Sequence, residues 1–144
     1  MKALFTSLLL LCSSQVFAAT LTIEINDIAS EKGEIVINVY DKEKNWMEEK
    51  SKYITKQSIV PLAGQVRDGK LVTTIELPEG EYGLYIYQDW DSNKEMDSNW
   101  IGIPREPVAT SNNAKGSMGP PDYDDAKFNL PATGATQSVN IVEI

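Results

Sequence analysis

The sequence LVTTIELPEGEYGLYIY, residues 71–87, decides the fold class. Its two halves, residues 71–77 and 82–87, are rich in β-branched and aromatic residues, a composition typical of strands. The Pro78-Glu79-Gly80 segment between them predicts a tight turn. In the second half aliphatic residues alternate with tyrosines, so the two kinds of side chain face opposite sides of the strand. The stretch therefore predicts two consecutive strands joined by a short turn.

Similar apolar runs flank this stretch on both sides, and turn residues such as Asp68-Gly69 separate them. Pro61 marks one run as an edge strand, because proline cannot donate a ladder hydrogen bond. The runs do not alternate with helical segments in a repeated βα pattern. We therefore predict an all-β fold, an antiparallel β-sandwich of about seven strands. The additional strand segments are residues 21–25, 35–40, 58–62, 128–130 and 139–142.

Two longer segments interrupt the row of strands. Residues 42–57 predict one short helix or an irregular excursion, because their apolar residues share only part of a helical face. Residues 98–126 carry many of the chain's Pro, Gly and Asn residues, and loops of this length are generally functional or disordered. Their apolar side chains argue against disorder, so we expect a long ordered loop that folds back over the sandwich and buries them. These side chains are Trp100, Ile101, Ile103, Val108, Met118 and Tyr123.

The N-terminal residues predict export. Lys2 precedes an apolar run at residues 8–11, and Val16-Phe17-Ala18 offers small residues for cleavage after Ala18. The apolar run is shorter than the roughly 20 residues that a membrane span needs. We therefore predict a signal peptide at residues 1–18 and one domain at residues 19–144. The mature domain is expected in the periplasm or outside the cell, with no membrane insertion.

Composition excludes most familiar catalytic chemistry. The chain has no His, and its one cysteine, Cys12, leaves with the predicted signal peptide. A lipoprotein is the alternative, although Leu11 stands where a lipid-attachment site requires Gly or Ala. Catalytic triads, thiol catalysis and ordinary zinc or copper sites are ruled out for the mature domain. Without Lys2 the basic count falls from 13 to 12 against 21 acids, a net charge of −9, which disfavours nucleic acid as a partner.

An acidic loop follows the second strand of the opening stretch. Residues 89–97, DWDSNKEMD, place an oxygen-bearing side chain at every second position. Calcium loops use this spacing, because ligands at positions 1, 3, 5, 7 and 9 can wrap a hard cation. The candidate metal ligands are Asp89, Asp91, Asn93, Glu95 and Asp97.

The acidic loop is not an EF-hand. Lys94 stands at position 6, where Gly is required, and Trp100 stands at position 12, where a bidentate Glu is expected. A looser calcium loop completed by a distant acid is one interpretation, and oxygen ligands favour calcium over zinc or copper. The other interpretation is a solvated turn in which Asp and Asn side chains cap the backbone. The candidates for the distant acid are Glu106, Asp122, Asp124 and Asp125.

Three motifs stand in order between residues 77 and 126. They are LPEGEY at 77–82, DSN at 97–99 with GIP at 102–104, and SNN at 111–113 with GPP at 119–121 and DA at 125–126. With these motifs at this spacing, the chain resembles a bacterial exported family catalogued as domain of unknown function 2141. The resemblance implies export and an immunoglobulin- or transthyretin-like sandwich, and it implies no established activity.

The acidic loop differs from the family's pattern, which often reads His-Asp-x-Asn-x-Asn-Gly-x-x-Asp. This chain has Gln88 in place of the His, Asp91 in place of the first Asn, and Lys94 in place of the Gly. These differences keep the oxygen ligands of the loop. They also weaken any proposal that the family's His is a catalyst here.

The sequence favours a non-catalytic module whose acidic loop, organised by calcium, presents a binding surface to an unidentified protein, peptide or glycan. One alternative is a small hydrolase that uses paired carboxylates, although so short a chain leaves little room for a deep cleft. Another is an assembly protein that pairs through an exposed edge strand. The candidate surface residues are Trp90, Trp100, Asn112 and Asn113, and the candidate hydrolase acids are Asp89, Asp97, Glu106 and Asp124.

Overall fold

A computed structural model of the chain describes residues 18–144 and shows eight β-strands over that range. Cys12 and the predicted signal peptide up to residue 17 lie outside the described residues. No helix within 18–144 is long and apolar enough to cross a membrane. The strands are β1 (Ala18–Asn26), β2 (Glu34–Tyr40), β3 (Lys56–Pro61), β4 (Leu71–Pro78), β5 (Gly80–Asp89), β6 (Val108–Thr110), β7 (Phe128–Leu130) and β8 (Ala135–Asn140). The helical segments are α1 (Tyr123–Ala126) and 3-10 turns at Glu43–Asn45, Ser51–Tyr53 and Ser111–Asn113.

The strands form two sheets, which confirms the predicted all-β sandwich. One sheet has the order β4-β1-β8, and the other has the order β3-β2-β5-β6, with β7 pairing the start of β5. The β1–β8 ladder is parallel, whereas the other named ladders are antiparallel. The parallel ladder was not predicted, because β1 and β8 stand at opposite ends of the domain and no local signal joins them.

The two predicted turns around β4 are present, and they connect the strands in different ways. At Asp68-Gly69 both residues have positive φ, 52° and 74°, and Arg67 and Lys70 exchange two backbone hydrogen bonds of 2.9 and 3.0 Å, as in a hairpin turn. The turn around Glu79 is not a hairpin, because β4 pairs with β1 and β5 pairs with β2. It carries the chain from one sheet to the other.

Strand β5 is buried on both faces, and so is β2. The aliphatic side of β5 packs into the core between the sheets, while Tyr85 and Tyr87 lie in a second apolar cluster on the outer face. Residues 41–55 cover that outer face with side chains such as Trp46. This segment contains two 3-10 turns and no longer helix, so it is the irregular excursion that was one of the two predicted forms, and its last residues already lead into edge strand β3.

The long segment 98–126 is ordered, as predicted, and it contains β6, a 3-10 turn and α1. Its expected burial is borne out for Tyr123, which is 5% exposed, and in part for Val108. It is wrong for four other apolar residues. Three of them lie in a turn at 97–105 whose backbone groups hydrogen-bond within the turn. The fourth lies among residues 115–120, which are exposed throughout. The exposed residues are Trp100, Ile101, Ile103 and Met118.

Candidate metal centre

The candidate centre begins where β5 ends, at Asp89. Both faces of β5 are covered, and Asp89 is therefore fully buried. The turn that precedes β2 passes very close to Asp89, since a Cβ on Gly33 would lie 1.9 Å from the Asp89 carbonyl oxygen. Gly33 also has a φ of 76°, a conformation that residues with a Cβ rarely adopt. A glycine is required at that position for the two segments to meet.

The acidic loop turns back on itself through backbone hydrogen bonds to its own carboxylates. The Asp89 carboxylate accepts from the N–H of Asn93 at 3.2 Å and from the N–H of Lys94 at 2.7 Å, and Asp91 also accepts from Asn93 at 3.3 Å. Lys94 has a φ of 66°, so it adopts a left-handed conformation at the position that EF-hand loops give to Gly. Its Nζ forms an ion pair with Glu34, which is 8% exposed, and this pair fastens the loop to the start of β2.

Glu106 reaches the loop from the following segment, because the register of β6 brings it there. Tyr87 pairs with Val108 and the Gln88 N–H bonds the Pro107 carbonyl, so the same register places Glu106 opposite Asp89. The Glu106 carboxylate accepts from the N–H of Trp90 at 3.1 Å and from the N–H of Asp97 at 3.3 Å, and the residue is only 2% exposed.

Three carboxylates therefore converge. One oxygen from each of Asp89, Asp91 and Glu106 lies within 4.8 Å of the others, and Asp91 is the exposed member. We refer to these three residues as the acidic cluster. None of the ion pairs found in residues 18–144 involves any of them; those pairs are Lys70–Glu24, Lys94–Glu34 and Lys127–Asp124.

Burial changes the acidity of two members of the cluster, Glu106 and Asp89. Burial raises the pKa of Glu106 to about 7; the N–H groups of Asp97 and Trp90 lower it, and the charges of Asp97 and Asp89 raise it. Burial also raises the pKa of Asp89 above its ordinary value, and Asp91 raises it further against the opposing effect of the loop N–H groups. Both shifts mean that negative charge is costly in this environment.

The remaining loop candidates lie around the cluster. The Asn93 side-chain amide donates to the Asp97 carboxylate at 3.2 Å. The Asn93 side-chain oxygen Oδ1 accepts from the N–H of Glu95 at 2.9 Å. Asp97 is half-buried, while Asn93 and Glu95 are exposed. Asn93 and Asp97 are thus within one hydrogen bond of each other beside the cluster, and Glu95 lies on the outside of the loop.

Four other candidates lie toward the opposite end of the sandwich. The 3-10 turn at 111–113 meets β5 at Leu84, five residues from Asp89, which is about 17 Å along a strand. The Asn112 side chain donates to the carbonyls of Asp125 and Lys127, and the Asn113 side chain accepts from the N–H of Asn140. Asp122 and Asp124 flank Tyr123, which packs beside Gly83. The acidic cluster therefore includes none of these four candidates, Asn112, Asn113, Asp122 and Asp124.

The two candidate tryptophans differ from each other. Trp90 is half-buried, and the Lys32 ammonium lies 5.3 Å from its ring centroid. Trp100 is 93% exposed and lies at the tip of the turn formed by residues 97–105. Trp100 therefore offers a free ring, whereas Trp90 offers one that is partly covered.

Gly33 and Glu34 also shape the centre, although no sequence pattern marked either as a site residue. Only the folded structure shows that the turn before β2 lies against Asp89. Gln88 is 2% exposed and donates to the carbonyls of Ser30 at 3.1 Å and Lys32 at 2.8 Å. Its side chain is thus committed to holding the turn before β2.

The donor set suits a hard divalent cation. Two oxygens on opposite sides of a calcium ion with bonds of about 2.4 Å are about 4.8 Å apart, and the cluster falls within that spread. The three carboxylates supply only oxygen ligands, which Ca²⁺ prefers. Asp89, Asp91 and Glu106 are the residues that would hold the ion.

The fold and the site define a class: a β-sandwich domain with a buried acidic cluster at the end of a central strand. Residues 23–139 match the model of a family described as "Uncharacterized protein conserved in bacteria (DUF2141)". The match covers most of the chain, and the protein belongs to that family, which confirms the resemblance read from its motifs. Comparison with curated proteins and with solved structures gives no significant match.

Proposed function

We propose that the protein is an exported, non-catalytic β-sandwich module in which a calcium ion fixes the acidic loop as a binding surface. One observation carries the proposal: Asp89 and Glu106 are almost fully buried beside Asp91, and no ion pair among the described residues neutralises them. Buried carboxylates are costly unless they are protonated or paired with a cation. A calcium ion supplies the missing positive charge.

Calcium also accounts for the way the loop is built. Backbone N–H groups of residues 90, 93, 94 and 97 each use a lone pair of a cluster carboxylate. A carboxylate has about four lone-pair positions, so each one keeps acceptor capacity for an ion. The ion would then join the acidic loop to Glu106 in the next segment. Its role is to hold these two segments together.

The surroundings of the cluster support a non-catalytic role. Two surface cavities in the described part of the chain have volumes of about 320 and 140 Å³. The larger is lined by residues of 49–57 and Lys94, and the smaller by residues that include Ser30, Gln88 and Pro107; neither lining includes Asp89, Asp91 or Glu106. A hydrolase would need a substrate cleft beside its carboxylates.

The edge strand β3 does not favour the alternative of an assembly protein. It carries Lys56 and Pro61, which discourage pairing with another strand.

Export is proposed from the N-terminal sequence alone. The Lys2 charge, the apolar run and the small residues before residue 19 are the features of a cleavable signal. An extracellular or periplasmic setting also suits a weak calcium site, because such modules bind calcium with dissociation constants on the order of 10⁻⁴–10⁻³ M.

Calorimetric titration of the purified protein with calcium tests the proposal. We expect one site in the weak range above and a rise in melting temperature of a few degrees at saturation. Glu106→Gln should weaken binding by about tenfold or more, because it removes one ligand charge. Asp122→Asn is the matched control, since it removes the same charge far from the cluster, and it should leave binding unchanged. Absence of both binding heat and thermal stabilisation in the wild type would refute the proposal.

A further inference from the structure

The turn at residues 97–105 is internally hydrogen-bonded and is attached to the acidic cluster through Glu106. Asp97 and Arg105 form its base through a backbone hydrogen bond of 2.7 Å, and the Asp97 N–H also bonds Glu106. Asn99 holds the tip: its side-chain oxygen accepts from the N–H groups of residues 101 and 103, both at 3.0 Å, and its N–H bonds the Ile103 carbonyl at 2.8 Å. The backbone of the tip is therefore organised before any partner binds.

The tip presents apolar side chains to solvent. Trp100 is 93% exposed, Ile101 is 57% exposed and Ile103 is 39% exposed. Isolated apolar residues on a surface are ordinary, but here a tryptophan and two isoleucines are exposed within four consecutive residues of one hydrogen-bonded turn. Tryptophan is also the residue type most enriched among those that dominate binding energy at interfaces. Preorganisation lowers the entropy cost of using it.

We propose that the Trp100–Ile103 tip docks on a partner polypeptide that presents apolar side chains flanked by basic ones. The net charge of the molecule favours such a partner. Residues 18–144 contain 21 acids and 12 bases, a net charge of −9 that one bound calcium ion would lower only to −7, and Glu95, beside the turn, is exposed. Complementary charge at the rim of an apolar contact steers association and suppresses wrong partners.

Other occupants fit the observations less well. A second copy of the chain would bring together two molecules of the same net negative charge, which is unfavourable. A sugar platform commonly uses more than one free ring, and the ring of Trp90 lies under Lys32. An anionic lipid surface would be repelled by the net negative charge of the described residues. These occupants become outcomes of the test below.

The docking proposal names the element of the binding surface that contacts the partner and the chemistry of that partner. It rests on the proposed function, because the acidic cluster holds the base of the tip in place. The two can fail separately. Trp100 contacts no member of the acidic cluster through a hydrogen bond, so its replacement should leave the calcium affinity unchanged within about twofold. Calcium calorimetry on a tip variant therefore reports on the metal centre alone.

A fluorescence-anisotropy titration with two labelled amphipathic peptides, one of Leu and Lys and one of Leu and Glu, tests the docking proposal. The purified protein with calcium should bind the Leu/Lys peptide at least about tenfold more tightly than the Leu/Glu peptide. The double variant Trp100→Ala/Ile101→Ser should weaken that binding by about tenfold or more. Met118→Ala is the matched control, because Met118 is fully exposed and lies outside the tip, and it should change little.

Several results would overturn the docking proposal. If the tip double variant still binds the Leu/Lys peptide, the attraction is due to charge alone. If the wild type binds neither peptide, or binds both equally, the partner does not have the proposed apolar and basic character. Tip-dependent binding to vesicles of phosphatidylethanolamine and phosphatidylglycerol would make the occupant a lipid surface. Tip-dependent dimerisation in analytical ultracentrifugation would make it a second copy.

Discussion

At the scale of single residues, the centre depends on two carboxylates that the fold buries from opposite directions. Asp89 is brought in by the end of β5, and Glu106 is brought in by the residues that precede β6. Backbone N–H groups bond both, and these bonds compensate part of the cost of burial. They do not remove that cost, since burial still raises the pKa of Glu106 to about 7.

The titration of Glu106 gives a prediction for calcium-free protein. Its folded-state pKa of about 7 lies above the ordinary value of 4.5, so between these values the folded state holds more protons than the unfolded state. The stability that this group contributes therefore falls as the pH rises from about 4.5 to about 7. Urea denaturation with a chelator present should show the wild type losing stability relative to Glu106→Gln between pH 5 and pH 8. A difference that stays constant across this range, or changes in the opposite direction, would contradict the assignment.

Gly33 tests how closely the turn before β2 must approach the centre. Gly33→Ala should destabilise the protein by roughly 2–5 kcal/mol, because left-handed backbone costs about 1–2 kcal/mol and the clash with the Asp89 carbonyl adds about 1–3. Gly64→Ala is the matched control: its φ is 73°, but a Cβ there would have no neighbour within 4 Å, so only about 1–2 kcal/mol is expected. Chemical denaturation of both variants measures the difference. Equal losses would show that Asp89 is not tightly enclosed.

At the scale of elements, the long segment after the acidic loop is anchored in two places. Glu106 attaches its beginning to the centre, and Ser111 attaches its middle to β5. The Ser111 hydroxyl accepts from the N–H of Leu84 at 2.9 Å and donates to the carbonyl of Ala126 at 2.5 Å, and Ser111 is fully buried. One small side chain thus joins β5 to the end of α1.

Removing that hydroxyl should loosen the segment. Ser111→Ala leaves a buried donor and a buried acceptor unpaired, and we expect a loss of at least about 2 kcal/mol in unfolding free energy. Ser138→Ala removes an exposed hydroxyl that accepts only from Asn26, so it should stay within about 0.5 kcal/mol of the wild type. Denaturation at pH 7 compares the two variants. If Ser111→Ala is as mild as Ser138→Ala, the anchor is not a significant one.

The strands and turns were largely predictable, because they depend on local chemistry. Alternation in β5 predicted which side chains share a face, and Asp68-Gly69 predicted its own hairpin turn. Local chemistry could not show that the turn around Glu79 changes sheets, since a tight turn has the same composition in both cases. It also could not show that the tip bearing Trp100 satisfies its backbone internally and thus remains exposed.

At the scale of the whole molecule, the candidate site is a tertiary product. Sequence spacing proposed the acidic loop and offered four acids to complete it. Only the pairing of β6 with β5 selects Glu106 among them, and it leaves Asp122 and Asp124 toward the other end of the sandwich. A register is set by long-range pairing, which is why one sequence without its fold could not make that selection. The metal role of the acidic loop remains a prediction.

Crystals of the purified protein grown with calcium, and examined by anomalous diffraction, test the central claim most directly. We predict a calcium ion bound by oxygens of Asp89, Asp91 and Glu106 at about 2.3–2.6 Å. An ion held instead at Asp122 or Asp124, or water alone among the three carboxylates at saturating calcium, would contradict the claim.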